Sequence, residues 1–214
     1  MPDSQLRLRP RPSSRYDRGA ARGWLIVLAV MCFAVQARAQ GTYALDQRFG
    51  SIEFTVDNLG LFTSKGEFKR FSASLTIDEA HPERTQISVE VDAGSVDMFW
   101  EDGIKMLRSP EYFDVQRYPA VHFRSAKVEA IAPDHYLIRG GLEIRGITQP
   151  FVLDAKMTDR RKDPVRNLEI ANFVVTGALK RSEFGMTADQ SFISDTVKLR
   201  ITAHIQLTPV GHAN

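Results

Sequence analysis

Cysteine is almost absent: Cys32 is the only one in 214 residues. An intrachain disulfide scaffold is therefore excluded. Long apolar runs are also missing. The one extended run, residues 24–35, has twelve residues, against roughly 20 for a membrane-spanning helix. Charge of one sign is not in excess, with 28 basic and 26 acidic side chains. Helical periodicity is nearly absent, and the motifs of common chemistry are missing. The five histidines show no H-x-H or H-E-x-x-H spacing, there is no G-x-S-x-G elbow, and no glycine-rich loop precedes a helix. These absences argue against a zinc hydrolase of that type, a serine hydrolase and a nucleotide-binding α/β enzyme. A pair of glycosidase carboxylates is recommended by no spacing.

The first residues contain a leader. Arg7, Arg9, Arg11, Arg15, Arg18 and Arg22 precede the apolar run, and Ala37-Arg38-Ala39 follows it. A basic flank, a short apolar core and a small-x-small site form a secretory signal peptide, with cleavage expected before Gln40. Residues 1–39 are read as that signal peptide and 40–214 as one domain. The residue before Cys32 is Met31, which disfavours lipidation, and the leader has no Arg-Arg pair. Removing 39 residues, with seven arginines and two aspartates, leaves 175 residues. These have 21 basic and 24 acidic side chains, a net of −3. An acidic domain has no basic stripe for nucleic acid. It contains no cysteine nucleophile either.

What is present is alternation. Apolar side chains recur at every second position around Ile52, Leu75, Val89, Phe123, Leu142, Leu153, Val175 and Ile201. Eight such stretches are separated by polar turns, at 78–84, 132–135, 145–150 and 159–167 among others. A strand that alternates has one wet and one dry face. With only residues 98–107 reading as helical, the dry faces must cover one another. An antiparallel eight-stranded closed barrel with one or two short helices does this without free edges. Such a barrel is either filled by side chains or hollow enough for one ligand.

Two features bear on that choice. Apolar side chains outside the alternation, including Leu59, Leu61, Phe62, Phe68, Phe71, Phe99, Trp100, Met106, Tyr112, Phe113 and Phe184, fall at turns and at the helical stretch. They either plug the barrel ends or line a cavity mouth. Residues 180–186, "KRSEFGM", break two strong strands, and their Arg181 either braces the turn or meets a lipid head group.

Five stretches in order resemble the YceI-like, polyisoprenoid-binding family. "YALDQRFGSIEFTVDNLGLFTSKGEF" carries its opening pattern on Tyr43, Asp46, Ile52, Phe54, Gly66 and Phe68. "LRSPEYFDVQRYPAVHFRS" matches at Ser109, Phe113, Asp114, Tyr118, Pro119, Phe123 and Ser125. "GGLEIRGITQPFVLD", "LKRSEFGM" and "ISDTVKLRITAHIQL" follow. The chain departs from the family at "EDGIKMLRS", where Met106 stands in place of a histidine common among members.

The resemblance implies a lipocalin-like barrel with an apolar channel for long-chain amphiphiles, including polyisoprenoids, and transport or storage rather than catalysis. The channel lining is then expected from Phe54, Val56, Leu75, Phe123, Leu142 and Ile144 on the strands. Phe62, Phe68, Phe71, Phe99, Met106, Phe113, Phe184 and Met186 would add to it from outside the regular alternation, with Arg181 at the head group. The expectation is a non-enzyme with no cofactor and no metal, exported to the periplasm. Its partner is a long-chain lipid or isoprenoid, without nucleic acid or a stable transmembrane anchor. A homodimer is allowed. An enzyme acting on a lipid at the barrel mouth and a packed barrel serving as an interaction module are the alternatives.

Overall fold

The computed structural model describes residues 41–44, 50–78, 80–164 and 168–207. The expected signal peptide lies outside the described residues. Eleven strands form one antiparallel sheet. They are β1 (Gly41–Ala44), β2 (Ser51–Asn58), β3 (Phe62–Phe68), β4 (Phe71–Ile77), β5 (Gln86–Asp92), β6 (Val96–Met98), β7 (Ala120–Ala132), β8 (His135–Ile144), β9 (Ile147–Asp163), β10 (Leu168–Lys180) and β11 (Ile193–Leu207). Among the described residues the one α-helix, α1, spans Glu101–Arg108. The hydrogen-bonded order is β1-β4-β5-β7-β8-β9-β10-β11-β2-β3-β6.

The expected class is correct and the expected strand count is not. The eight alternating stretches all became strands; β1, β3 and β6 were added. β1 and β6 have four and three residues, too few for a period to emerge. β3 reads "FTSKGEF" and lacks an apolar row because Gly66 stands opposite Phe54 across the β2–β3 ladder. A Cβ on Gly66 would lie 2.4 Å from Phe54 Cζ, so the missing side chain is what accommodates the ring.

The sheet curls, though its ladders do not close: β1 and β6 end the pairing order among the described residues. Ile52 and Phe54 of β2 and Phe68 of β3 pack in one cluster with Val91 of β5, six places away from β2 in that order. A second cluster joins Phe123, Leu142, Phe151 and Val175, with Leu199 and Ile201 against it. Buried Ser95 fixes the corner between β3 and β4, its Oγ accepting from the Arg70 amide at 3.0 Å and its carbonyl from the Lys69 amide at 3.1 Å.

Three other expectations needed revision. The turn placed at 145–150 shrinks to Arg145-Gly146, both with positive φ (54° and 72°), because Ile147 already pairs with Ile144. That is the two-residue hairpin geometry whose twist suits flanking strands. The charged loop at 159–167 is largely strand: β9 runs to Asp163 and pairs with β10. Arg160 and Glu169 meet diagonally across it at 2.5 Å, an opposite-charge cross-strand pair of the kind that supports a wet two-stranded extension. The helix starts at Glu101 rather than Met98. Its acidic first turn (Glu101, Asp102) and basic last turn (Lys105, Arg108) complement the helix dipole, and Pro110 lies just beyond its end.

Candidate binding cavity

The curled sheet encloses a cavity of about 510 Å³. The inward faces of β2, β3, β5, β7, β8, β9, β10 and β11 all reach it, with α1 and the segment after it on one side. The interior is therefore not filled from end to end. Its wall is built mainly of Phe, Leu, Ile, Val and Met. Apart from the Trp100 indole, polar side chains reach it only from Asn58, Ser64, Tyr112, Arg181 and Asp189. Aromatic rings stiffen the wall: Phe68 lies between Phe54 (centroids 5.6 Å apart) and Phe113 (5.5 Å, edge to face).

Ten of the expected lining residues share this cavity: Phe54, Val56, Phe62, Phe68, Met106, Phe113, Phe123, Leu142, Ile144 and Met186. Four do not reach it. Phe71 is buried in the cluster with Val91 and Val96. Leu75 packs with Ala171 and Ile205 in a separate cluster further along the sheet. Phe184 is 1% exposed and embedded among core side chains. Phe99 points into solvent. Alternation tells inside from outside but not which layer of the inside is hollow, and these four belong to filled layers or to the rim.

Arg181 is on the wall and 3% exposed. Its Nε donates to the Ser194 carbonyl (3.1 Å). Its two terminal nitrogens donate to the carbonyls of Met186 (2.8 Å), Ala188 (2.6 Å) and Ile193 (3.0 Å). Four of its five N–H groups are thus taken by backbone oxygens, two in the segment between β10 and β11 and two at the start of β11, which is the turn-bracing arrangement. Asp195 secures the same corner. Burial pushes its carboxyl pKa up, but the Ser182 amide and hydroxyl, with the Arg181 charge, outweigh this and hold it below the usual carboxylate range.

Beside Arg181, the Tyr112 hydroxyl donates to Asp189 at 2.7 Å. Burial, then the Asp189 carboxylate, pushes the phenol pKa up to about 12. This Tyr–Asp pair is the polar feature of the wall that the sequence did not single out. Asp189 looks like any surface carboxylate, and nothing in its spacing ties it to Tyr112, 77 residues away.

The chemistry the site lacks is equally informative. Among the described residues no histidine lines the cavity. His135 on Asp154 (2.8 Å) and His81 on Asp78 (3.5 Å) form histidine–carboxylate pairs, and both lie off the cavity wall. Among the described residues no group of His, Cys, Asp and Glu could hold a metal, and no helix is long and apolar enough to cross a membrane. What this wall can do is take up an apolar chain of matching girth and hold a polar end near Tyr112, Asn58 or Ser64.

The comparisons agree with that geometry. The YceI-like domain model matches residues 43–205. The chain is 32% identical over 181 residues to a UPF0312 protein of Pectobacterium carotovorum, covering 82% of this chain and 93% of that one. It is 30% identical to protein YceI of Salmonella arizonae, covering 82% and 92%. Among solved structures, BcnA of Burkholderia cenocepacia superposes with a TM-score of 0.67 at 20% identity, over 77% of this chain and 99% of that one. A polyisoprenoid binding domain from Saccharophagus degradans superposes at 0.57 and 14% identity, over 78% and 98%. At those identities the two structures speak for the fold.

Proposed function

The chain belongs to the YceI-like family, and from that premise we propose that it is a binding and carrier protein for one long-chain apolar amphiphile, a polyisoprenoid or similar lipid. The observation that carries this reading is the hollow itself: about 510 Å³ with an apolar wall and a few polar groups. Ligand sites of this type are concave, mostly apolar and orient their guest with few polar contacts. The relative from Saccharophagus degradans, a polyisoprenoid binding domain, supports the ligand class. The leader at residues 1–39 supports export, and a periplasmic setting is where a lipid would need carrying between membranes. Among the described residues no histidine reaches the wall, and this favours carriage over catalysis.

The volume bounds the guest. At about 30 Å³ per water-sized group, the space holds roughly 17 methylene-sized units, the length of a long acyl chain or of three to four isoprene units. A longer polyisoprenoid would extend through the mouth. The test is Val121→Phe, which places a ring in the hollow from a wall position. Titration with a fluorescent long-chain fatty acid should show affinity reduced by at least about tenfold, since a phenyl displaces several methylenes at ~0.8 kcal/mol each. Unchanged affinity in a folded variant would refute occupancy of this cavity.

A further inference from the structure

Six of the nine large apolar side chains exposed among the described residues are gathered rather than scattered. Leu59 and Leu61 lie in the β2–β3 turn, Phe62 opens β3, Phe99 and Trp100 join β6 to α1, and Phe192 precedes β11. Strand register brings them together. Asn58 pairs with Phe62 on one side and Ile193 on the other, so Phe192 adjoins the turn. Gly66 pairs with Met98, and continuing that ladder puts Trp100 level with Ser64, two residues from Phe62. Phe62, Trp100 and Phe192 also line the cavity, so the six side chains form a collar around its mouth, continuous with the apolar wall inside.

The turn carries a cost that local chemistry does not require. Leu61 N–H donates to the Asn58 carbonyl at 2.9 Å, with Leu59 at φ 51° and Gly60 at φ 70° as central residues. Asn or Gly suits the first of these positions, whereas a leucine there is strained. A leucine in that place sets an exposed apolar side chain at the tip of the turn, where a polar one would serve the backbone better.

The charges nearby narrow the kind of surface the collar suits. Asp57 pairs with Lys198 (3.3 Å), Lys65 with Glu53 (2.8 Å), and Lys105 with Asp102 (3.2 Å) and Glu101 (3.4 Å). The collar is thus apolar with a locally balanced surround, which suits neither a polyanion nor a strongly charged protein face. We propose that the collar docks the cavity mouth onto the surface of a lipid bilayer, with Leu59, Leu61 and Phe99 inserted among the acyl chains and Trp100 at the headgroup level. A tail then passes between membrane and cavity without crossing water. This deepens the carrier reading and rests on it for the transfer step, though not for the docking itself.

The test compares the exported chain, residues 40–214, with its Leu61→Ser/Phe99→Ser double variant, which leaves the cavity wall untouched. Each protein is sedimented with phosphatidylcholine vesicles, with and without phosphatidylglycerol, at low and high salt. With Trp24 in the leader, Trp100 is the single tryptophan of the exported chain, a reporter on the collar. The wild type should bind zwitterionic vesicles, shift Trp100 emission to the blue, and change less than about twofold with salt, because apolar area and not charge drives the contact. The double variant should bind about a hundredfold more weakly, tenfold for each large side chain removed, and should deliver a fluorescent lipid more slowly while holding it equally well in solution. Equal vesicle binding by both proteins, or no Trp100 shift, overturns the docking and leaves the carrier reading standing. A wild-type dimer that the double variant abolishes, without any vesicle effect, overturns it in favour of contact with a second copy. Failure of both proteins to hold the fluorescent lipid refutes the carrier reading and leaves the vesicle result to be judged alone.

Discussion

A ladder of single-chain fatty acids tests the cavity through the ligand. Each added methylene that finds apolar wall gains about 0.8 kcal/mol. Ordering the tail takes back part of this, since each immobilised rotor costs free energy on binding. The net expectation is about two- to fourfold tighter binding per carbon, 1.4 kcal/mol being tenfold. The wall is continuous from β2 through β11 and the hollow is about 510 Å³, so the gain should persist until roughly 17 carbons and then fall below about twofold per carbon, as the chain end meets the mouth. Displacement of a fluorescent polyene fatty acid by acids of about eight to twenty-two carbons reads this as a rising line with a break. A flat series would mean that the tail never enters. A slope that continues unbroken to the longest acids would mean that the ligand lies on an open surface.

Gly66→Ala should separate binding from stability. The new methyl would meet the end of the Phe54 ring and, at 3.0 Å, the Asp97 carbonyl oxygen; the ring can swing into the cavity while the backbone cannot, so overpacking should cost about 1–3 kcal/mol while long-chain affinity falls about tenfold, and urea titration and ligand displacement check the two halves. Arg181→Met removes the donor from four backbone carbonyls and should cost about 4 kcal/mol, at roughly 1 kcal/mol or more for each orphaned buried oxygen. An unchanged urea midpoint with lost ligand binding would instead assign Arg181 to a head group. Tyr112 has a folded pKa of about 12 against an ordinary 10, so its contribution is complete below pH 10 and is lost as pH rises through 12. Unfolding free energies from urea titration should fall by ~2–3 kcal/mol more in wild type than in Tyr112→Phe over that window.

The sequence revealed the class of fold because the signal for it is local. Alternation along β8, β9 and β11 needs no knowledge of the partner strand, and the buried rows Ile138, Leu142, Ile144 and Phe151, Leu153, Ala155 are the ones the pattern picks out. β3 was hidden because its inward Gly66 makes sense only beside Phe54. The extent of β9 and β10 was hidden because Arg160 and Glu169 look like loop charges until they are seen to pair. At the site, alternation nominated inward residues but not depth. Leu75 and Phe123 read alike in the sequence, yet one packs with Ala171 and Ile205 in a filled layer and the other faces the hollow. Tyr112 and Asp189 were beyond reach because a hydrogen bond across 77 residues has no sequence signature.

The account stands on the hollow being occupied by a lipid tail. Native mass spectrometry of the protein purified from its own host after export measures this directly. The expected spectrum shows the folded chain starting at Gln40 with one apolar molecule bound, released intact on activation. A spectrum of bare protein that stays bare after incubation with long-chain isoprenoid alcohols and fatty acids would contradict the account at its centre.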